Sequence, residues 1–429
     1  MNWLGSWFDF PEGGNRWTIR DGNRSFSVRY RGDIEFTDDD TDVRSLGSGG
    51  YLILDEKIGW DRTRIDFRYD DKGKLQRTFT RNGKQVAYEP EGRAWLAKKI
   101  PDLIRNSGFG AEARVRRIHT AGGPTAVLAE VTLIKSAYVK RLYLNHLLDL
   151  RTVQGPMLAK LIAQAGQEIT SDYERTELLR KVVKDRLMTT DEQRLAYTAA
   201  TRAINSSYEH RRALQPFVES GSLSDAVLRS AIDSASTIES DYELTELLIA
   251  LGKTQTLTPV AMDAFVSASS SIGSDYELGR TLKHAVNGPT TMPPAVIRDV
   301  LKASQGIDSD YEMAQFLLAL VAKQKLDDTV RTELFAAVDT IHSDYERGRV
   351  LKAIAARPGL NNAVVLGVID STRAMNSAYE AANVLSDVAR SYPPSGDMRK
   401  AFVAAADRLS SNHERDRVLV ALVKTEGRQ

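Results

Sequence analysis

Acidic residues at alternate positions near the amino terminus are the first feature with the chemistry of a metal site. Asp38, Asp40 and Asp42 are spaced like the first ligands of a calcium-binding loop. However, Val43 stands where such a loop needs glycine, and Gly49 stands where it needs a bidentate glutamate. We therefore expect an acidic loop that holds no metal, with calcium binding by the three aspartates as the alternative.

A tetrapeptide Ser-Asp-Tyr-Glu, unchanged or varied, recurs at steps of 34 or 35 residues and places tyrosines at a regular interval. As a binding surface, the rings and carboxylates would form a stripe suited to basic peptides. As structural residues, the tyrosines would pack between successive helical hairpins while the acids cap helices. The structural interpretation is favoured, because capping explains the glutamate without a ligand. The candidate ligand-binding residues are Tyr173, Tyr208, Tyr242, Tyr276, Tyr311, Tyr345 and Tyr379.

Short motifs of known catalytic chemistry are incomplete in this sequence. Gly252-Lys253-Thr254 lacks the earlier glycine of a phosphate-binding loop, and His413-Glu414 lacks the second histidine of a zinc protease. The chain has no cysteine, which excludes disulfides, thiolate-bound metals and thiol nucleophiles. We therefore predict a protein that is not an enzyme, with no catalytic residue and no cofactor.

Charge and hydropathy limit the partners of the chain. The formal net charge is +1, so no global positive field would attract nucleic acid, and none is expected as a partner. Arg62, Arg64 and Arg68 alternate with strand-forming residues; they form either a local basic strip or, more simply, a solvated sheet face.

No segment is apolar enough to span a bilayer, and residues 1–10 do not resemble a secretory signal. The chain is expected in the cytoplasm, or in the periplasm if it is a fragment.

The repeat that carries the tyrosines also predicts the elements that position them. A leucine stands six residues after each of nine repeat centres, from Tyr138 to His413, and further apolar residues stand four and eleven residues before each centre. These offsets fit one face of each of two helices separated by a break. A serine followed three residues later by glutamate, as in Ser171 and Glu174, is typical of a capping box at a helix start. Prolines predict the starts of the second helices, at Thr258-Pro259, Pro293-Pro294 and Pro393-Pro394.

Residues 1–90 instead show the alternation of half-buried strands, as in Phe26-Val28-Tyr30 and Ile65-Phe67-Tyr69. Hairpin turns are predicted at 71–73 and at 81–84, the second with the Asn-Gly pair of a type I′ turn. A helix is predicted over residues 93–107, bent or split at Pro101, followed by helices near 111–119 and 124–134.

The sequence therefore predicts a mainly α protein. Its fold class is a right-handed α-solenoid of about nine helical hairpins of 34–35 residues, preceded by a small antiparallel β domain. The predicted domains are a β-rich domain (1–90), a transition helix with a degenerate capping unit (91–134) and the solenoid repeats (135–429).

The period and the two-helix layout over residues 109–429 resemble those of HEAT-like and TPR-like helical repeat proteins. The pattern Ile-x-Ser-Asp-Tyr-Glu followed by Leu differs from the tetratricopeptide signature of Trp, Gly-Tyr, Ala and Pro. Residues 32–42, together with the Ser-Asp-Tyr-Glu repeats, are also similar to soluble regions of bacterial proteins, some of them joined to membrane metallopeptidases of the antibiotic-sensing regulator type. That resemblance implies a sensory or regulatory module. No peptidase activity follows, since the chain carries no peptidase motif.

These features predict a non-enzymatic scaffold that binds a protein or peptide along the solenoid surface, because stacked repeats supply long concave faces. Two alternatives stay open. One is the ligand-sensing soluble region of a bacterial membrane-anchored regulator, which an upstream membrane span in the full gene would favour. The other is an enzyme with its site at the junction of the β domain and the solenoid, which a deep pocket lined by titratable groups would favour.

Overall fold

The computed structural model describes residues 8–9, 15–288, 291–392 and 395–426. The chain divides into two compact units, residues 1–178 and 179–429. The mainly helical class with an amino-terminal antiparallel sheet is confirmed. The three-part division at 90 and 134 stays a prediction. Within the described ranges, no helix combines the length and the apolar character that crossing a membrane requires.

The first unit begins with β-strands joined by short turns. The strands are β1 (Phe8–Asp9), β2 (Asn15–Asp21), β3 (Arg24–Arg31), β4 (Ile34–Phe36), β5 (Val43–Leu46), β6 (Tyr51–Ile58), β7 (Asp61–Tyr69), β8 (Leu75–Arg81) and β9 (Lys84–Val86). Seven of them form one antiparallel sheet in the order β1-β2-β3-β6-β7-β8-β9. The remaining two, β4 and β5, pair as a hairpin between β3 and β6. The sheet is therefore a meander with one hairpin inserted.

Alternation along the strands gives the sheet one buried face. Phe26, Val28, Leu54, Ile65 and Phe67 are buried, while their sequence neighbours lie on the opposite face. The strands predicted around residues 26–30 and 65–69 lie within β3 and β7, and the turn predicted at 81–84 joins β8 and β9. Both central residues of that turn have positive φ (48° and 83°), as a type I′ turn requires.

Helices complete the first unit. They are α1 (Arg93–Ser107), α2 (Ala111–Leu133), α3 (Ala137–Asp149), α4 (Pro156–Glu168) and α5 (Asp172–Lys184), the last of which crosses the boundary between the units. A single turn of π-helix at Tyr88–Gly92 leads into α1. Pro101 does not split α1, which is one helix over the predicted residues. By contrast, α2 leaves helical geometry at Gly122 and Gly123, so the two helices predicted there are separated by that break.

Alternating helices make up the second unit. They are α6 (Asp191–Thr201), α7 (Ser207–Val218), α8 (Asp225–Ala235), α9 (Asp241–Thr254), α10 (Pro259–Ser269), α11 (Asp275–Val286), α12 (Pro294–Ser304), α13 (Asp310–Lys323), α14 (Arg331–Asp339), α15 (Asp344–Ala355), α16 (Asn362–Ser371), α17 (Ala378–Ser391), α18 (Gly396–Ala406) and α19 (Asn412–Glu426). The prolines at 259 and 294 are the first residues of their helices, as predicted. The predicted start at residues 393–394 lies outside the described residues.

Helices of the second unit pack in two rows. Each odd-numbered helix from α7 contacts the next odd-numbered one up to α19, and each even-numbered helix from α6 contacts the next even-numbered one up to α18. The repeated leucines form the seam, since Leu214, Leu248, Leu282, Leu317 and Leu351 are fully buried. The residues eleven places before the repeat centres are also buried, including Tyr197, Phe265 and Phe402. This packing agrees with a helical repeat.

Serine caps start the odd-numbered helices, but the predicted capping box is incomplete. Ser309 accepts the backbone N–H of Glu312 at 3.4 Å, and the equivalent serines do the same. The glutamate carboxylates are bonded elsewhere, because cations lie beside them, so the prediction that they return to the serine N–H is wrong for these helices. The reciprocal box does form at α6, between Thr190 and Gln193.

Candidate functional site

Each repeated tyrosine lies at the amino-terminal end of a helix. Each is the second residue of its helix, and between 47% and 59% of each side chain is exposed for Tyr138, Tyr173, Tyr208, Tyr242, Tyr276, Tyr311, Tyr345 and Tyr379. A tyrosine packed between hairpins would be mostly buried, as Tyr197 is. The rings are therefore half in contact with protein and half available. We call the six members in the second unit, Tyr208 to Tyr379, the tyrosine row.

Arginines lie against some of these rings. In three repeats the arginine four residues after the tyrosine lies over its ring, with the guanidinium carbon 5.6–5.8 Å from the ring centre: Arg212 over Tyr208, Arg280 over Tyr276 and Arg349 over Tyr345. This distance is within cation–π range. The contact orients each ring from one side and leaves the rest of it exposed.

The glutamates that follow the tyrosines are neutralised in two alternating ways. Glu277 pairs with Arg280 of its own helix at 2.7 Å, and Glu346 pairs with Arg349 in the same manner at 2.6 Å. In the repeat between them, Glu312 reaches Lys283 of the preceding odd-numbered helix at 3.2 Å. The same two arrangements continue on either side, with own-helix pairs Glu209–Arg212 and Glu414–Arg417 and cross-helix pairs Glu243–Arg211 and Glu380–Lys352.

Because of this alternation, the pattern of charged side chains beside the tyrosines repeats every two structural repeats. From Tyr208 onward, the residue four places after the repeat centre is arginine in every second repeat, and in the repeats between it is an acid or an amide. Arg280 therefore also contacts Glu246 of the preceding repeat at 2.7 Å, and Arg417 contacts Asn383 at 2.9 Å. The pKa of Arg280 is raised by Glu246 and by Glu277. The signal was present in the sequence, at Arg212, Glu246, Arg280, Gln315, Arg349, Asn383 and Arg417, and a comparison of alternate repeats would have found it.

The aspartates before the tyrosines link one repeat to the next. Asp241 accepts the backbone N–H of Ser274, Asp275 that of Ser309, and Asp310 that of Ser343, each at 2.8 Å. Asp344 accepts the N–H of Ser377 at 2.6 Å. Each of these aspartates is the first residue of its helix, and its partner is the backbone N–H at the start of the next odd-numbered helix. We call these four bonds the aspartate ladder.

Together, these contacts change what the tyrosine row can attract. The carboxylates that were expected to recruit a basic peptide are engaged by arginine, lysine or backbone N–H groups. What the row offers to a partner is a series of half-exposed rings with their hydroxyl groups. Such rings bind apolar side chains, proline rings and backbone amides.

The three aspartates of the acidic loop are all paired with arginines. Asp38 contacts Arg44 at 2.7 Å and shares Arg117 with Asp40. Asp42 is buried and contacts Arg77 at 3.1 Å. Since guanidinium groups occupy each carboxylate, the loop ties strands and helices of the first unit together. In the described part of the chain, no three histidine, aspartate or glutamate side chains are grouped as metal ligands.

The third aspartate of the loop, Asp40, belongs to a buried polar cluster. Arg114 of α2 contacts Asp40 at 2.6 Å, Glu130 at 2.8 Å and the hydroxyl of Tyr143 at 3.0 Å. Burial acts to raise the pKa of Glu130, but its bonds from Arg105 and Arg114 outweigh burial and lower it. Burial raises the pKa of Tyr143, so its phenol stays protonated. The cluster is fully paired and therefore structural.

Two adjoining clefts open beside this cluster in the first unit. One, of about 640 Å³, is lined by Tyr30, Ile34, Phe109, Tyr138 and His146 among others. The other, of about 440 Å³, is lined by the polar cluster and the acidic loop. The rings of Tyr30 and Phe109 meet edge to face, with centroids 4.2 Å apart. An apolar wall with a few polar groups is typical of small-molecule sites.

Comparison with known proteins adds no identity. No protein-family model matches the chain, and no curated protein matches its sequence.

Proposed function

We propose that the chain is a non-enzymatic scaffold that binds an extended protein segment along the tyrosine row. The observation that carries the proposal is the half exposure of the ring in six successive odd-numbered helices that pack against one another. A structural role does not need six large rings in water at one place in each repeat. Regular spacing offers a linear partner the same contact many times.

The proposed partner is an extended segment that contains proline and small apolar residues. Aromatic rings in a row bind such segments, because a polyproline II chain is already extended and loses little entropy on binding. A lysine-rich segment is less suited, since the neighbouring carboxylates are already paired. As part of this proposal, residues 135–429 form about nine repeats of a right-handed α-solenoid that presents the row.

Fluorescence anisotropy with labelled peptides tests the proposal. The panel consists of a proline-rich, a lysine-rich and a glutamate-rich peptide, each titrated with the full chain. The variant Tyr242→Ala/Tyr276→Ala/Tyr311→Ala is expected to weaken binding of the proline-rich peptide at least ten-fold, at about 1 kcal/mol per ring. Val260→Ala, at a half-exposed side chain of the even-numbered row, is the matched control and should leave binding unchanged. Equal affinity in the triple variant would reject the tyrosine row as the site.

A second candidate function is the sensing of a small molecule by the first unit. The cleft that Tyr30, Phe109 and Tyr138 line supports it, because its volume of about 640 Å³ is in the range of ligand pockets. The ligand would be an aromatic or apolar molecule with one polar group that faces His146. Thermal-shift screening of such compounds tests this function, and Phe109→Ala should remove any stabilisation that they give.

A further inference from the structure

The face of the large sheet that points away from the buried core is strongly basic. We call it the open face, and strand register assigns eight cations to it among the described residues: Arg16, Arg20, Arg29, Arg31, Lys57, Arg62, Arg64 and Arg68. Five of them are exposed, whereas Arg16, Arg29 and Arg64 are half-buried and Ile53 between them is buried. The same register assigns two carboxylates to it, Asp55 and Asp66. The excess of six positive charges is concentrated on one surface of a chain whose net charge is +1.

Most of these cations have no acidic partner in the part of the chain that the structure describes. Asp55 is bonded by Arg62 at 2.9 Å, and Asp66 is bonded by Arg64 at 2.7 Å. The other six make no ion pair among the described residues, and Arg68 lies over the ring of Tyr51 at 5.0 Å. The sequence had left open whether the β7 arginines form a basic strip or a solvated face. The register places them in a surface that extends over four strands.

An exposed apolar tip lies at one end of the strands, where Ile58 belongs by register to the opposite face and Trp60 to the turn itself. At the turn between β6 and β7, 98% of the Trp60 side chain and 47% of Ile58 are exposed to solvent. On the open face, the cross-strand row nearest the tip contains Arg20, Lys57 and Arg62. The last row of the opposite face carries the exposed Asp21 and Asp61, so the cations beside the tryptophan lie on the open face. A fully exposed tryptophan contributes nothing to the core, and its position is that of a contact residue.

We infer that the tip formed by Ile58, Gly59 and Trp60 and the basic open face together dock on an anionic lipid bilayer. Tryptophan is favoured at the level of the lipid headgroups, where its ring contacts acyl chains and its N–H stays hydrated. The flanking cations would lie against the negative headgroups. Nucleic acid fits less well, because stacking on bases needs several free rings and Tyr51 on this face is covered by Arg68.

Vesicle co-sedimentation of the full chain tests the inference. The chain should bind phosphatidylcholine vesicles that contain phosphatidylserine, bind pure phosphatidylcholine vesicles weakly, and lose affinity as salt is raised. Arg20→Gln/Lys57→Gln should weaken binding to the anionic vesicles roughly twenty-fold, at about five-fold per cation. The matched control is Lys72→Gln/Lys74→Gln, which removes two exposed lysines from the turn between β7 and β8, at the other end of the strands.

Tryptophan fluorescence tests independently whether Trp60 contacts the bilayer. The emission of Trp60 should shift to shorter wavelength with anionic vesicles, and Trp60→Phe should abolish that shift while circular dichroism shows an unchanged fold. The inference is overturned if the chain does not bind the anionic vesicles, or if Arg20→Gln/Lys57→Gln and its control bind them equally. Binding of single-stranded DNA without binding of vesicles also overturns it and identifies a nucleic-acid surface instead.

Discussion

Asp275, the first residue of α11, accepts a hydrogen bond at 2.8 Å from the backbone N–H of Ser309, the residue that caps α13. The start of one helix thus holds the start of the next helix in its row. Asp241, Asp310 and Asp344 repeat the contact with the serine of their own following repeat. In each case a carboxylate satisfies an N–H that the predicted capping box would have satisfied locally.

The aspartate ladder should contribute measurably to stability. Asp275→Ala removes a charge-assisted bond to Ser309 and a longer one to Asp308, and we expect it to lower the free energy of unfolding by about 1.5–3 kcal/mol. Urea denaturation followed by circular dichroism measures the change. Asp275→Asn keeps an acceptor oxygen and should lose less. Asp263→Ala, at an exposed aspartate of α10, is the control, and an equal loss there would mean that the ladder bond contributes nothing.

Glycine three residues after the tyrosine makes room for a glutamate of the next repeat. A Cβ on Gly279 would lie 3.2 Å from Oε2 of Glu312. Gly279→Ala should therefore fail to give the gain of about 1 kcal/mol that alanine normally brings to a helix interior. In a Glu312→Ala background the same substitution should stabilise the chain. A double-mutant cycle by urea denaturation measures the coupling, and additive effects would contradict the close approach.

The exposed tyrosines and the buried ones should respond differently to truncation. Tyr242→Ala and Tyr311→Ala are each expected to change the free energy of unfolding by less than about 1 kcal/mol, since half of each ring is in water. Tyr197→Ala should cost about 3–5 kcal/mol, because Tyr197 is fully buried, stacks on Phe217 and donates to the carbonyl of Ala213 at 2.8 Å. Thermal and urea unfolding compare them. A large loss at Tyr242 would make the row structural.

The repeat and its seam could be predicted from the sequence because they rest on local periodicity. Leu248 and Leu282 are buried where the spacing placed them, and α1 has the predicted bounds of Arg93 and Ser107. The bonds of the candidate site were missed because they join residues far apart in the chain. Asp275 and Ser309 are 34 residues apart, and no local rule for helix caps includes such a partner.

Arginines compete with backbone N–H groups and metal ions for the same carboxylates, and this explains why the other predicted partners were not found. A guanidinium beside a carboxylate forms a stronger bond than a neutral backbone N–H does, so Glu277 pairs with Arg280 instead of closing the capping box. The acidic loop behaves in the same way, since Asp40 bonds Arg114, which is 74 residues away. Arg280 stands three residues from Glu277 on the same helix, whereas only the fold brings Arg114 to Asp40. The aspartates whose spacing resembles a metal site are therefore found in ion pairs with arginines.

The buried cluster around Arg114 should make the free energy of unfolding depend on pH. Its partners hold the pKa of Glu130 below the ordinary value of 4.5, so above that pH the native and the unfolded states both carry the charge and the stabilisation is complete. As the pH falls below 4.5, the unfolded state takes up the proton first and stability is lost through the lower native pKa. Urea denaturation at pH 7 and at pH 4 should show this loss. Glu130→Gln should lower stability at pH 7 and reduce the difference between the two pH values, whereas Glu112→Gln, at an exposed pair with Arg116, should change neither appreciably.

The last helix should be needed to cover the end of the packed rows. In α19, Val418 and Leu422 are buried against the preceding helices, of which α17 makes the larger contact, while Val420 and Val423 are exposed. Ending the chain at Ser410 would leave the apolar face of α17 in water, and we expect a lower melting temperature and a lower free energy of unfolding. Leu422→Ala should reproduce part of this loss, about 2–5 kcal/mol, whereas Val420→Ala should cost little. Calorimetry of the four chains compares them. An unchanged melting temperature after truncation would mean that α19 does not pack on α17 in solution. If α19 does cover the apolar face of α17, its removal must expose that face to water and lower the stability.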